Sequence, residues 1–294
     1  MAIKKTIGEK LFDAANSVFM VFLIFITIYP FWYVITCSFS DSAYLIGDKG
    51  IMLKPHGFSL ESYKMVFNNP NILTGYINTI IIVVFGTLIN VFMTSIGAFV
   101  LSRRDFAIKK PLMVLILITM YFGGGLIPTF LWINNILGMK NTFWALLLPG
   151  AISTYNLIVM RTNFASIPVS LEEAAKIDGA NDIHVLFKVV LPLSIPILAV
   201  MTLFYGVGHW NSWFSALIYI RDRSKYPLQL ILREIILLNN TDAMATNTTA
   251  VDKFNVGEGI KYATIIVATV PILCIYPFIQ KYFVKGVMVG AIKE

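Results

Sequence analysis

The sequence predicts an all-α, polytopic membrane protein with six transmembrane helices, and three observations carry that prediction. Hydrophobic residues fill 57% of the 294 positions and charged residues only 13%, against roughly 25% charged in an average soluble domain. The charges are also clustered, leaving runs of about 18 to 30 residues long enough as helices to cross a ~30 Å hydrocarbon core. Finally, those runs contain no Asp, Glu, Lys or Arg at all. This composition excludes a secreted disulfide scaffold, a disordered chain and a nucleic-acid module, in spite of a net charge of +7. An excess of Lys and Arg is ordinary where inner-face loops are rich in them.

The expected spans are 15–37, 72–101, 112–134, 142–160, 193–220 and 262–280, which together make a transmembrane domain over 15–280. The first exceeds a signal-peptide core and has no small-residue cleavage site behind it, so it reads as an anchor after a short N-terminus 1–14. Span 112–134 carries Gly123, Gly124, Gly125 and Pro128; Pro30, Pro149, Pro196, Pro271 and Pro277 punctuate others. Such breaks are tolerated where helices pack together or line a wet cavity, but Pro and Gly are also commoner in membrane helices generally. Six crossings put both termini on one side. Placing 1–14, loop 102–111, loop 161–192 and tail 281–294 inside gives thirteen basic residues there against ten outside, with Arg103, Arg104, Lys109 and Lys110 the densest group. Cys37 and Cys274 suggest neither a disulfide nor a metal site.

What the spans lack bears on mechanism. His209 is the only ionisable candidate at depth, whereas ion-coupled carriers use intramembrane carboxylates or comparable relays. The chain also has no G-x-x-x-x-G-K-[ST] phosphate loop. Energy for uphill movement must come from another subunit.

Loop 161–192 holds the most informative stretch. Ser170 with Glu173 fits a capping box, which satisfies the free amides at a helix start. Leu171, Ala174 and Ala175 form a small apolar stripe, with Glu172, Glu173 and Lys176 away from it. Gly179 suits the left-handed position after a helix, and Asn181 or Asp182 can cap the next. That second helix is amphipathic, with Ile183, Leu186, Phe187, Val190 and Leu191 on one face, and Pro192 precedes the fifth span. Alanines beside a carboxylate suit a groove on another protein; an interfacial anchor would present Trp, Leu and Lys instead.

The segment resembles the signature loop of ABC-importer permeases. Glu173-Ala174-Ala175, Gly179 and Leu191-Pro192 match its spacing, with Val189 in place of isoleucine. The resemblance extends over nearly the whole chain and is closest to carbohydrate importers of the maltose-permease type. It includes Arg161-Thr162-Asn163-Phe164, Trp210-Asn211-Ser212-Trp213-Phe214 and the tail Phe283 to Lys293. Pro227 to Glu234 and the long outer loop 221–262 resemble the branch that imports complex oligosaccharides, including alginate and rhamnogalacturonan fragments. Glu294 departs from the glycine expected at the end.

The resemblance implies a type I ABC-importer fold in a bacterial cytoplasmic membrane, and a transport subunit rather than an enzyme. Its implied partners are a second permease subunit, two ATPase subunits that hold ATP and Mg, an extracytoplasmic solute-binding protein and membrane lipid. The chain itself is expected to hold no cofactor and no metal. The coupling set implied is Glu172, Glu173, Ala174, Ala175, Asp178, Gly179, Leu191 and Pro192, and the tail after Lys281 would reach toward the ATPases. Tyr205, His209, Trp210, Asn211 and Trp213 offer the rings and amides that suit sugars, or else serve as interfacial anchors and packing. The apolar block Leu228 to Leu238 would lie at the membrane surface or meet the binding protein. Two other readings, an enzyme acting on lipid-linked sugars and an ion-coupled carrier, lack respectively a convincing reactive pair and a charged relay.

Overall fold

Apolar helices with little charge must satisfy their backbone internally, and the chain is helical almost throughout. A computed structural model describes residues 6–47, 50–237, 257–275 and 277. The chain divides into two units, Met1–Pro70 with Glu234–Thr269, and Asn71–Arg233 with Val270–Glu294.

In the first unit, α1 (Ile7–Ser38) runs for 32 residues, about 48 Å at 1.5 Å per residue. It starts eight residues before the expected span because Thr6 and Glu9 form a capping box, Glu9 N donating to Thr6 Oγ1 at 3.3 Å and Thr6 N to Glu9 Oε2 at 2.7 Å. Only its last turn is buried by the rest of the chain. There Tyr33 meets Tyr262 edge to face at 6.0 Å, and the Cys37 thiol lies 3.4 Å from Met52 Sδ. Tyr262 belongs to α8, described as the helix Gly257–Ile275, which already covers the five residues before the expected 262. Gly259 lets it approach closely, since a Cβ there would sit 2.4 Å from the hydroxyls of Ser42 and Ser62.

The second unit is organised by α2 (Pro70–Ser102), whose inward face carries Gly75, Asn78, Thr79, Gly86, Asn90, Thr94 and Ala98 at helical spacing. Small residues let neighbouring backbones approach, and the amides and hydroxyls among them find partners across the interface. Against this face pack α4 (Thr154–Ala165) and α6 (Ile195–Trp210), whose Met160, Phe164, Val200 and Met201 join Phe99 and Leu101 in the main core.

Three expected spans are not single helices. α3 (Lys109–Tyr121) stops before Gly123, and the chain continues at 107° through Leu126–Leu131 into a π turn, Trp132–Ile136. Gly125 takes φ +84, and its carbonyl accepts both the backbone N–H and the hydroxyl of Thr129 as the first bonds of the new helix, whose start no side chain caps. Span 142–160 consists of Trp144–Leu147, a break at Pro149-Gly150, and α4. Span 193–220 begins after an 86° bend at Ser194 and ends at Trp210, with Phe214–Tyr219 a separate short helix. Pro192 and Pro196 explain the bend: each lacks an amide hydrogen, and the Pro196 ring crowds the carbonyl four residues back. Among the described residues three helices alone are long and apolar enough to cross a membrane, and five if each bent pair counts once.

The outer-loop expectation is also corrected. Leu228, Leu230, Ile231 and Ile235 of α7 (Leu228–Leu237) are buried inside the protein and so cannot form a membrane or partner surface, whereas Leu237 is exposed. Thr79 Oγ1 accepts from Leu228 N at 2.9 Å, and Gly75 leaves room for Ile231. The tract 239–249 and the tail 281–294 lie outside the described residues.

Candidate functional site

The hairpin begins at Pro168, whose fixed φ opens α5 (Val169–Ile177), and no side chain caps the start. The expected Ser170–Glu173 box is therefore not formed: the helix starts two residues earlier, Ser170 falls within its first turn and Glu173 is exposed. At the far end Ala180 N donates to Ala175 O at 2.9 Å and Gly179 N to Lys176 O at 3.0 Å, with Gly179 at φ +85. These two bonds make a Schellman turn, which needs a left-handed residue at this position. A Cβ on Gly179 would meet nothing within 4 Å, so backbone conformation and not space is what requires glycine. Asn181 caps the next helix, accepting from His184 N at 2.8 Å, and Lys176 bridges the turn to Asp182 at 3.1 Å.

The faces of the hairpin differ from those expected. Glu172 turns inward, where its carboxylate pairs with the Arg103 guanidinium; the side chains are only 12% and 15% exposed. Ala175 points the same way, while Leu171 and Ala174 face outward. A charged partner at the end of α2 outweighs the small gain from burying Leu171 on this narrow helix. In the second arm a π turn, Leu186–Val190, inserts an extra residue per turn and rotates the apolar face. Val185, Leu186 and Val190 are buried, whereas Ile183 and Phe187 are exposed and Leu191 is half-buried. Pro192 is exposed in the short helix Leu191–Leu193, just before the bend.

Arg103 is itself held in place. Its Nη2 donates to Ser102 Oγ at 2.8 Å, its Nε reaches the Phe99 carbonyl at 3.2 Å, and the guanidinium lies 4.3 Å over the Phe99 ring. Burial lowers its pKa, and the carboxylates of Asp105 and Asp182 oppose that shift. The resulting outward surface combines Glu173, Ala174 and Asp178 with Ile177, 86% exposed, and Ile183, 70% exposed. An apolar patch rimmed by carboxylates on a rigid turn has the character of a protein-docking surface.

The ring and amide residues of the fifth span separate into packing and surface groups. Tyr205 is buried; its hydroxyl shares a 2.7 Å bond with Thr94 and accepts from Ser153 N at 3.1 Å, joining α2, the start of α4 and α6. His209 Nε2 lies 2.6 Å from Asn90 Oδ1, and Asn90 Nδ2 donates to Gly150 O at 2.6 Å. That second bond fixes the amide orientation, so His209 donates from Nε2. Trp210 is buried beside Tyr76, and Trp213 lies under the Arg233 guanidinium at 4.7 Å. Of the five, Asn211 alone is exposed. Phe204 and Gly208, four residues apart on α6, are exposed as well; reading residue chemistry without helix phase passed over them.

A family model for the inner membrane component of binding-protein-dependent transport systems matches residues 8–289. The chain belongs to that family. It is 40% identical over 285 residues to the polygalacturonan/rhamnogalacturonan transport system permease protein YtcP of Bacillus subtilis (strain 168), covering 97% of this chain and 99% of that one. It is 42% identical over 289 residues to Protein LplC of the same organism, covering 98% and 97%. Among solved structures, a bacterial ABC transporter involved in the import of the acidic polysaccharide alginate contains a chain with TM-score 0.86 and 30% identity, over 96% of this chain and 100% of that one. This permease is thus a membrane-embedded transport subunit of an ABC importer and not an enzyme; ATP hydrolysis lies with partner subunits. The type I importer fold expected from the signature loop is the fold it has.

Proposed function

We propose that this permease passes uronate-containing oligosaccharides across the cytoplasmic membrane, driven by ATPase subunits that dock on the hairpin 169–193. The observation that carries the coupling half is the outward face of Ala174, Ile177 and Ile183 around a rigid Gly179 turn, held to α2 by Arg103 and Glu172. Small residues permit close approach, exposed isoleucines supply apolar area, and Glu173 and Asp178 offer charge at the rim. The cargo half is supported by relatives whose names specify polygalacturonan, rhamnogalacturonan and alginate.

In this reading a second permease subunit completes the path, two ATPase subunits bind ATP and Mg, and an extracytoplasmic binding protein delivers the sugar. Both termini and loops 102–111 and 161–192 face the cytoplasm. The exposed side of α6, with Phe204, Gly208 and Asn211, faces the path, while Tyr205 and His209 set helix packing. Uptake of labelled oligogalacturonide by cells expressing the intact importer tests the proposal. Transport should stop on ATP depletion and persist when the membrane potential is collapsed at constant ATP. The opposite pattern, or uptake of neutral glucans only, overturns it.

A further inference from the structure

We propose that a basic hollow beside α3 binds the phosphate of an anionic phospholipid. Arg104, Lys109, Lys110 and Arg161 line a cavity of about 790 Å³, and none of the residues lining it is Asp or Glu. Two of these cations are fixed by backbone carbonyls at the end of α2: Lys109 Nζ donates to Arg103 O at 3.0 Å, and Arg161 Nε to Leu101 O at 3.0 Å. Carbonyls orient the groups without neutralising them. The nearby carboxylate of Glu172 is already paired with Arg103, and Asp105 also acts on Arg103. Four positive charges thus converge on one space with no anion among its walls.

The remaining wall identifies the ligand as an amphiphile. Met113 and Val114 line the same hollow, and α3 leaves it without a single buried residue. A lipid with its phosphate on the cations can lay its chains along that apolar side, whereas free phosphate would use only half the site. Basic pockets at the ends of membrane helices are suited to anionic headgroups, each cation contributing appreciably near the surface.

The assembled importer, delipidated in detergent and titrated with phosphatidylglycerol under native mass spectrometry, provides the test. Phosphatidylglycerol should bind saturably, without competition from phosphatidylcholine or displacement by millimolar inorganic phosphate. Arg104 and Lys110 are exposed, so the double variant R104Q/K110Q should fold normally and weaken that binding by roughly thirtyfold. Unchanged affinity in the variant overturns the proposal, as does equal binding of phosphatidylcholine. Displacement by inorganic phosphate assigns the hollow to a soluble anion. Cross-linking of Lys110→Cys to an ATPase subunit in the intact assembly assigns it to a protein surface. Either assignment contradicts the lipid.

Discussion

Arg103 at the end of α2 pairs with Glu172 in the first turn of the hairpin, and both side chains are largely withdrawn from solvent. The pair ties the outward hairpin surface to the helix that organises the second unit. If ATPase subunits dock on the hairpin as proposed, this pair is the link by which their movement would reach α2.

Removing one partner therefore leaves a poorly solvated charge. Arg103→Ala or Glu172→Gln should destabilise hairpin docking by about 1–3 kcal/mol, the scale for a charged hydrogen-bonded group left unmatched. Faster hydrogen exchange over 169–193, with slower uptake and unchanged membrane insertion, is the expected readout. Arg103→Lys should restore only part of the effect, because a single ammonium cannot both stack on Phe99 and reproduce the guanidinium's donors to Ser102.

At Gly179 the space is open but the backbone is left-handed, so the substitutions separate conformation from bulk. Gly179→Ala should cost about 1–2 kcal/mol and impair uptake. Gly179→Asn should be milder despite being larger, since Asn tolerates this conformation better. Matched uptake assays on the two variants measure the difference; impairment that follows side-chain volume would contradict this assignment.

Neighbouring positions on α6 should behave oppositely. Tyr205→Phe removes the hydroxyl that meets Thr94 and Ser153, lowering stability by about 1–3 kcal/mol with little change in the half-saturating sugar concentration. Phe204→Ala, on the exposed side, should leave the melting temperature nearly unchanged and raise that concentration. Thermal unfolding and uptake kinetics on both variants check the assignment.

Gly86 lies directly against the His209 ring, where an added Cβ would sit 2.5 Å from Nε2. Gly86→Ala should displace the ring from Asn90 and reduce the amount of folded permease in the membrane. Gly208→Ala, where a Cβ meets nothing within 4 Å, is the control that should accumulate normally.

Much of this arrangement is local and so can be read from the sequence. The turn at Gly179, the Asn181 cap and the breaks at Gly123–Gly125 depend on residues within a few positions of one another. Orientation is less accessible. Glu172 turns inward only because Arg103, distant in sequence, arrives beside it, and the π turn at Leu186–Val190 shifts a face that regular helical spacing places elsewhere. The polar, small-residue stripe of α2, with Gly75, Thr79, Gly86, Asn90 and Thr94, is hidden in the sequence by the apolar residues around it, and its partners at Gly150 and on α6 and α7 emerge only once the helices are packed. Tyr205 and His209 have a chemistry suited to sugars, yet their hydroxyl and imidazole are spent on Thr94, Ser153 and Asn90.

The most direct test places a cysteine at Ala174 in the assembled importer and applies a short thiol-to-amine cross-linker from the cytoplasmic side. A covalent adduct with an ATPase subunit, formed in active transporters and lost when that subunit is omitted, is the predicted result. Labelling of the same cysteine by an impermeant thiol reagent added outside intact cells, with no ATPase adduct, would contradict the account.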